Sequence, residues 1–209
     1  MLVNEVFLSI QGEGRTMGLP TVFVRLTGCN LSCRWCDTRY ANQEGEELSL
    51  GQVLERTLSF DVRHICLTGG EPLWNPGSHS LIAALLEKGK HVTLETNGSI
   101  SLEGLPDHPQ LLVSMDYKCP SSGEEGSMCL GNLERLRPKD QLKFVVSDQK
   151  DLERAEAVVR QYCPCCPVIF TPVGGLSLEP VVSFVLSRGL EVRVLPQLHK
   201  IIWGERRGV

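Results

Sequence analysis

The 209-residue sequence predicts an α/β fold, a mostly parallel sheet covered by helices and curled into an incomplete barrel. Three observations carry this prediction. Short β-rich runs alternate with helical patterns along the chain. The runs are apolar almost throughout, as strands buried on both faces are. The length also falls short of the roughly 250 residues that a closed eightfold barrel takes.

The series opens at Thr21–Thr27, "TVFVRLT", whose β-branched and aromatic residues suit a pleated surface. A helical pattern over Leu50–Leu58 comes next, then a strand at His64–Thr68, a helix over Ser80–Lys88 and a strand at His91–Thr96. Strands are expected again at Leu111–Asp116 and Gln141–Ser147. The segments before each of them, Gly98–Gln110 and Tyr117–Asp140, carry Gly, Pro and Ser with little helical period, and read as irregular connections. A helix at Asp151–Tyr162, a strand at Val168–Val173, a helix at Glu179–Arg188 and a strand at Glu191–Leu195 complete the alternation. With no repeat, low-complexity tract or linker, residues 1–209 read as one domain.

Composition narrows the function. A net charge of -4 provides no electrostatic footprint for nucleic acid. No apolar run approaches the roughly 20 residues of a membrane span, and Met1–Glu13 lacks the charged start and long apolar stretch of a signal peptide. The expected location is therefore the cytoplasm, where nine cysteines argue for metal or redox chemistry before disulfides.

The first three expected strands each end on a distinctive motif: "GCNLSC" after the first, "GGEP" after the second, "NG" after the third. Folds of this class place their chemistry at the carboxyl ends of parallel strands, so these motifs are expected to converge. Cys29, Cys33 and Cys36 admit three readings. They fall on one helical face and could be buried, although Asn30, Ser32 and Arg34 between them are polar. They could belong to a zinc site completed by His64 or by the "CPCC" run of Cys163, Cys165 and Cys166, but no second pair has the usual setting. Or they hold a four-iron cluster by three thiolates, leaving one iron open to an exogenous molecule.

The order C-x₃-C-x₂-C, then "TGGEP" at Thr68–Pro72, resembles the radical S-adenosylmethionine (SAM) superfamily. "SIQGEG" at Ser9–Gly14, "CDT" after the last cysteine, "LETNG" at Leu94–Gly98, "KFVV" at Lys143–Val146 and the ending "LPQLHKIIWGERRGV" extend the likeness over almost the whole chain. They resemble the 7-carboxy-7-deazaguanine synthase family. Glycyl-radical activating enzymes share the triad and stand as the alternative, without this amino-terminal loop or ending.

The resemblance implies conversion of 6-carboxy-5,6,7,8-tetrahydropterin to 7-carboxy-7-deazaguanine, with ring contraction and loss of ammonia, on the way to the 7-deazaguanine bases of transfer RNA. It implies a [4Fe-4S] cluster on Cys29, Cys33 and Cys36, SAM chelated to the open iron, Mg²⁺, a homodimer, and an electron donor such as flavodoxin or ferredoxin. One-electron cleavage of SAM would release a 5′-deoxyadenosyl radical that takes hydrogen from the pterin's C6. For SAM it points to Trp35, Asp37, Gly70, Ser114, Asp116 and Lys118, and to Thr171, Pro172, Val173 and Gly174 in "TPVG". Here "SMDYKCP" replaces the serine–proline–lysine run frequent in the family. The Gly69–Gly70 pair would let the backbone approach the ligand, and Glu71 would accept from SAM's ammonium.

For the pterin it points to Ile10, Gln11, Gly12 and Glu13, to Arg25 as a fork for the carboxylate, and to Thr68. Glu95 and Asn97, alternate positions of one strand, join them, as do His199 and the terminal carboxylate of Val209. Thr38 would be the single protein ligand to Mg²⁺. Cys66, in an apolar strand, reads as core, and "CPCC" has ligand-like spacing for a second cluster or zinc, neither of which the resemblance requires.

Overall fold

A computed structural model describes every residue, Met1–Val209. Its centre is a nine-stranded sheet, open at both edges. Strands β2 (Pro20–Leu26), β4 (His64–Gly69), β5 (His91–Thr96), β6 (Leu111–Tyr117), β7 (Gln141–Val146), β8 (Val168–Pro172) and the short β9 (Arg193–Val194) run parallel. These are the seven expected strands.

Two strands were not legible in the sequence. β1 (Leu2–Ile10) pairs antiparallel with β2, and the two-residue β3 (Glu46–Glu47) pairs antiparallel with β1. The order across the sheet is thus β3-β1-β2-β4-β5-β6-β7-β8-β9. The register of β1 slips between Val3 and Glu5, so an extra residue breaks the alternation by which a half-buried strand is recognised. Both edges end on a two-residue strand, too short to template pairing with another chain.

The expected helices form as α1 (Leu50–Leu58), α2 (Ser78–Glu87), α4 (Gln149–Tyr162) and α5 (Glu179–Arg188). The start of α1 is a reciprocal cap: Gln52 N–H donates to the Ser49 hydroxyl while the Gln52 side chain accepts from Ser49 N–H. Asp148 caps α4 by accepting from Asp151 N–H. Two short helices were not expected, α3 (Gly131–Arg135) in the connection read as irregular and α6 (Leu198–Trp203) near the end. Gly98–Gln110 has no regular helix or strand, as expected. One core fills the space between sheet and helices, with Tyr117, Phe144 and Phe170 side by side on β6, β7 and β8. No helix is long and apolar enough to cross a membrane.

The candidate active site

A cavity of about 330 Å³ opens over the carboxyl ends of the parallel strands. The β1–β2 loop, the loop after β2 and the ends of β4, β5, β6 and β7 form its floor and one wall, and α6 with the tail to Val209 forms the other. The motifs scattered along the sequence meet here, as carboxyl strand ends require.

Cys29, Cys33 and Cys36 are half-buried, and all three line this cavity. No set of three His, Cys, Asp or Glu side chains is close enough to hold a single ion. Cys29 and Cys36 both act on Cys33 by charge, so the three thiols are neighbours on one wall and could together hold a cluster. Cys29 Sγ accepts from Leu31 N–H (3.4 Å) and from Asn97 Nδ2 (3.7 Å), the kind of contact that tunes a cluster thiolate. Burial pushes the Cys29 and Cys33 thiols up, so a bound positive centre is what would draw off their protons.

Backbone fit fixes this loop. Gly69 and Gly70 have a backbone role of their own, because a Cβ at either would lie 2.1 Å from a backbone oxygen, that of Leu26 or Gly28. These glycines let the end of β4 dock on the end of β2, sealed by Gly70 N–H to Leu26 O (3.2 Å) and Glu71 N–H to Gly28 O (2.8 Å). Both glycines also line the cavity.

Glu71 is reassigned. It is 1 % exposed, away from the cavity wall, and accepts from Leu73 N–H (2.9 Å), the Thr96 hydroxyl (2.9 Å) and Asn97 N–H (2.6 Å). Its carboxylate staples the ends of β4 and β5 and has little left to offer SAM's ammonium. Asn97 lines the cavity and turns its carboxamide to Cys29 and to Asn30 Oδ1 (3.1 Å), holding the cysteine loop. Ser114, Thr171 and Pro172 are buried behind the wall; the Ser114 hydroxyl donates to Glu95 (2.8 Å) and accepts from Gln141 Nε2 (2.7 Å).

The other expected residues reach the cavity. Trp35, Asp37, Asp116, Lys118, Val173 and Gly174 lie along it with the cysteines. Trp35 donates its indole N–H to the Ser121 hydroxyl (3.0 Å), and the Lys118 ammonium sits over its ring. Thr38 donates to Asp37 Oδ1 (2.8 Å), so hard oxygen donors of the type Mg²⁺ prefers stand side by side. Ile10, Gln11, Gly12, Glu13, Thr68, Glu95, His199 and Val209 line it as well.

Arg25 lines the cavity and is anchored by a carboxylate of the protein. Its Nε donates to Glu5 Oε1 (2.7 Å), which also accepts from the Tyr40 hydroxyl (3.0 Å). The guanidinium has no other hydrogen-bond partner in the protein, and its two terminal nitrogens remain able to fork a carboxylate.

At the floor, Lys143 on β7 is 4 % exposed and touches three carboxylates: Glu13 (2.8 Å), Glu95 (2.8 Å) and Asp116 (3.2 Å). Lys118 completes the row on the far side of Asp116 (3.0 Å). Three buried polar atoms in the cavity lining make no hydrogen bond: Asp116 Oδ1 has its ion pair with Lys143, whereas the donor Gln11 Nε2 and the acceptor Glu95 Oε1 have neither. A dry pocket would be costly with both orphaned, so its ligand carries donors and acceptors of its own.

Several lining residues were not singled out by sequence reasoning, among them Lys143, Gln197, Tyr40 and Arg207. A signal existed for Lys143, a lysine inside the apolar run "QLKFVV". Cys66 is buried as expected and also borders the cavity. The "CPCC" cysteines gather no further metal-binding group; Cys165 Sγ instead reaches Leu136 O.

Comparison with known proteins decides what this geometry belongs to. A model of the radical SAM superfamily matches residues 23–118, which span the cysteine loop, "GGEP" and the ends of β5 and β6. The 7-carboxy-7-deazaguanine synthase of Thermoplasma acidophilum is 38 % identical over 100 % of both chains. This chain belongs to the 7-carboxy-7-deazaguanine synthase family of radical SAM enzymes. The Methanospirillum hungatei synthase is 40 % identical over 97 % of this chain and 85 % of its own. The crystal structure of QueE from Escherichia coli shares the fold, with a TM-score of 0.75 at 24 % identity over 95 % of this chain and 94 % of that one.

Proposed function

We propose that this chain carries out its family's reaction, converting 6-carboxy-5,6,7,8-tetrahydropterin to 7-carboxy-7-deazaguanine as a single cytoplasmic domain. One observation supports this above the rest: full-length identity of 38 % to a named synthase, with the buried donor Gln11 Nε2 and acceptor Glu95 Oε1 orphaned in one cavity with the three cysteines. Glycyl-radical activation is not favoured, because the relatives matched along the whole chain are synthases.

The cysteines fit a [4Fe-4S] cluster and the adjoining wall fits SAM; when bound, these two supply a carbon radical by one-electron cleavage. The chain's own residues bind and orient. Glu13 and Glu95 accept from the N–H-rich edge of the pterin, Gln11 donates to its carbonyl, and Arg25 forks its carboxylate. Thr38, with Asp37 beside it, would hold Mg²⁺ against that carboxylate, while His199 and the Val209 terminus close the pocket from the other side. Trp35, Lys118, Val173 and Gly174 line the SAM end. The active species would be a homodimer, reduced by a flavodoxin or ferredoxin.

Anaerobic incubation of the reconstituted protein with SAM, reductant and the tetrahydropterin tests the reading. The expected product is 7-carboxy-7-deazaguanine, identified by mass together with ammonia. Cleavage of SAM with no deazaguanine would defeat it. In Cys33→Ala both the visible cluster band and SAM cleavage are expected to disappear.

A further inference from the structure

We propose that Lys143 is a positioning residue for the pterin, holding Glu13 and Glu95 ionised and fixed so that together they read an N–H-rich edge. The inference rests on the function proposed above for the cavity, and on the geometry of the floor.

Lys143 lies on β7, between the end of β6 and the cavity, with 5 % of its side chain open to solvent. Its Nζ touches Glu13 from the β1–β2 loop, Glu95 from β5 and Asp116 from β6. It donates hydrogen bonds to Glu13 and Glu95 and stands at ion-pair distance from Asp116, so carboxylates from three different elements surround one ammonium. The remaining groups of the cluster are assigned as well. Gln197 Nε2 donates to Glu13 Oε1 (2.6 Å), the Ser114 hydroxyl donates to Glu95 Oε2 (2.8 Å), and Lys118 neutralises Asp116 from the other side. His199 and Glu95 also act on Glu13 through their charge.

The charges count as three carboxylates against two ammoniums, Lys143 and Lys118. Without Lys143 a single cation would face three largely buried carboxylates, and like-charge repulsion would favour proton uptake among them. Glu13 is held low, at about 2, with the Lys143 ammonium as its chief stabilising neighbour against the opposing effect of burial. Glu95, dominated by burial, lies above the ordinary carboxylate range even with Lys143 present. Glu13 acts as a fixed acceptor and Glu95 as the more proton-hungry one, its free Oε1 turned to no protein group. A guanidine-like edge with several N–H donors matches such a pair; an edge of acceptors is rejected.

Lys143→Met, near in length and uncharged, and Lys143→Arg test this. In apoprotein labelled with ¹³C at Glu carboxyls, Glu13 should stay ionised through mild acid in the native chain and in Lys143→Arg, and titrate at least one pH unit higher in Lys143→Met. With loaded enzyme, kcat/KM for the tetrahydropterin should fall about 100-fold in Lys143→Met, mainly through KM. Its acid limb should move to higher pH, and Lys143→Arg should recover part of the loss. SAM cleavage without pterin serves as the control for an intact cofactor end. An unmoved Glu13 titration, or an unmoved acid limb with kcat alone reduced, overturns the role. If Lys143→Met does not fold, Lys143→Arg carries the test, and wild-type KM and pH profile in that variant support the proposal only with Glu13 still ionised in mild acid. The carboxyl titration needs no turnover, so it judges Lys143 even if the proposed reaction fails.

Discussion

Glu71 shows how a motif side chain can be held by the protein's own backbone and a neighbouring hydroxyl. Its three acceptor contacts replace water for the backbone of two strand ends. Burial raises its proton affinity, and the donors that surround it oppose that shift. Removing it in Glu71→Ala strands two buried N–H groups, which costs about 3 kcal/mol or more. For a chain of this size that is roughly 6–12 °C in the melting midpoint, readable by calorimetry of the apoprotein. Had Glu71 served SAM alone, the midpoint would not move and only SAM affinity would fall. At this scale the sequence was legible where chemistry dictates residue type: three soft thiolates, a forked cation, a loop between glycines. It was not legible where a motif carboxylate chooses between ligand and backbone, since Glu71 and Asn97 each had both partners within reach of the same loop.

Among the elements, the seven parallel strands and four longer helices could be read directly, because continuous apolar runs and amphipathic periods survive in the sequence. The bulged β1 and the six-residue α6 could not. A slipped register hides the first, and a helix shorter than two turns owes its existence to packing rather than to period. Yet these two elements close the cavity. Leu198 N–H donates to Gly12 O (2.8 Å), and the tail then crosses to Tyr40, where the Arg207 guanidinium lies 3.9 Å from the ring centre. There it pairs with Glu44 (3.2 Å) on a half-exposed surface. The ion pair contributes little by itself, whereas stacking on an aromatic face gives about 0.5–1 kcal/mol. Arg207→Ala should therefore leave the melting midpoint within about 2 °C, raise KM for the tetrahydropterin several-fold and increase SAM cleaved per product formed. Lysine at this position should recover less than half, as it lacks the planar face. Unchanged coupling of SAM cleavage to product would show that the strap is not held by Arg207.

Across the whole molecule, the cavity floor ties the amino-terminal hairpin, the middle of the sheet and the carboxyl-terminal segment together through Glu13, Lys143 and Gln197. Its acid response is set by the signs of the shifts. Glu13 has its folded pKa depressed from 4.5 to about 2, so its stabilisation is complete above 4.5 and is lost as the pH falls through about 2. Glu71 and Glu95 are shifted the other way, mainly by burial, so their ionised forms cost stability, and that cost is relieved as the pH falls through their raised values toward 4.5. Lowering the pH from 7.5 toward 5 should thus hold or raise the urea midpoint of the apoprotein, and further acid should lower it. Glu13→Gln keeps an acceptor for Gln197 but forfeits the charge that faces Lys143, so its curve should lie below the native one at neutral pH and converge with it in strong acid. Parallel curves, offset by the same amount at every pH, would mean that Glu13 closes the molecule by shape and hydrogen bonding, with no electrostatic share.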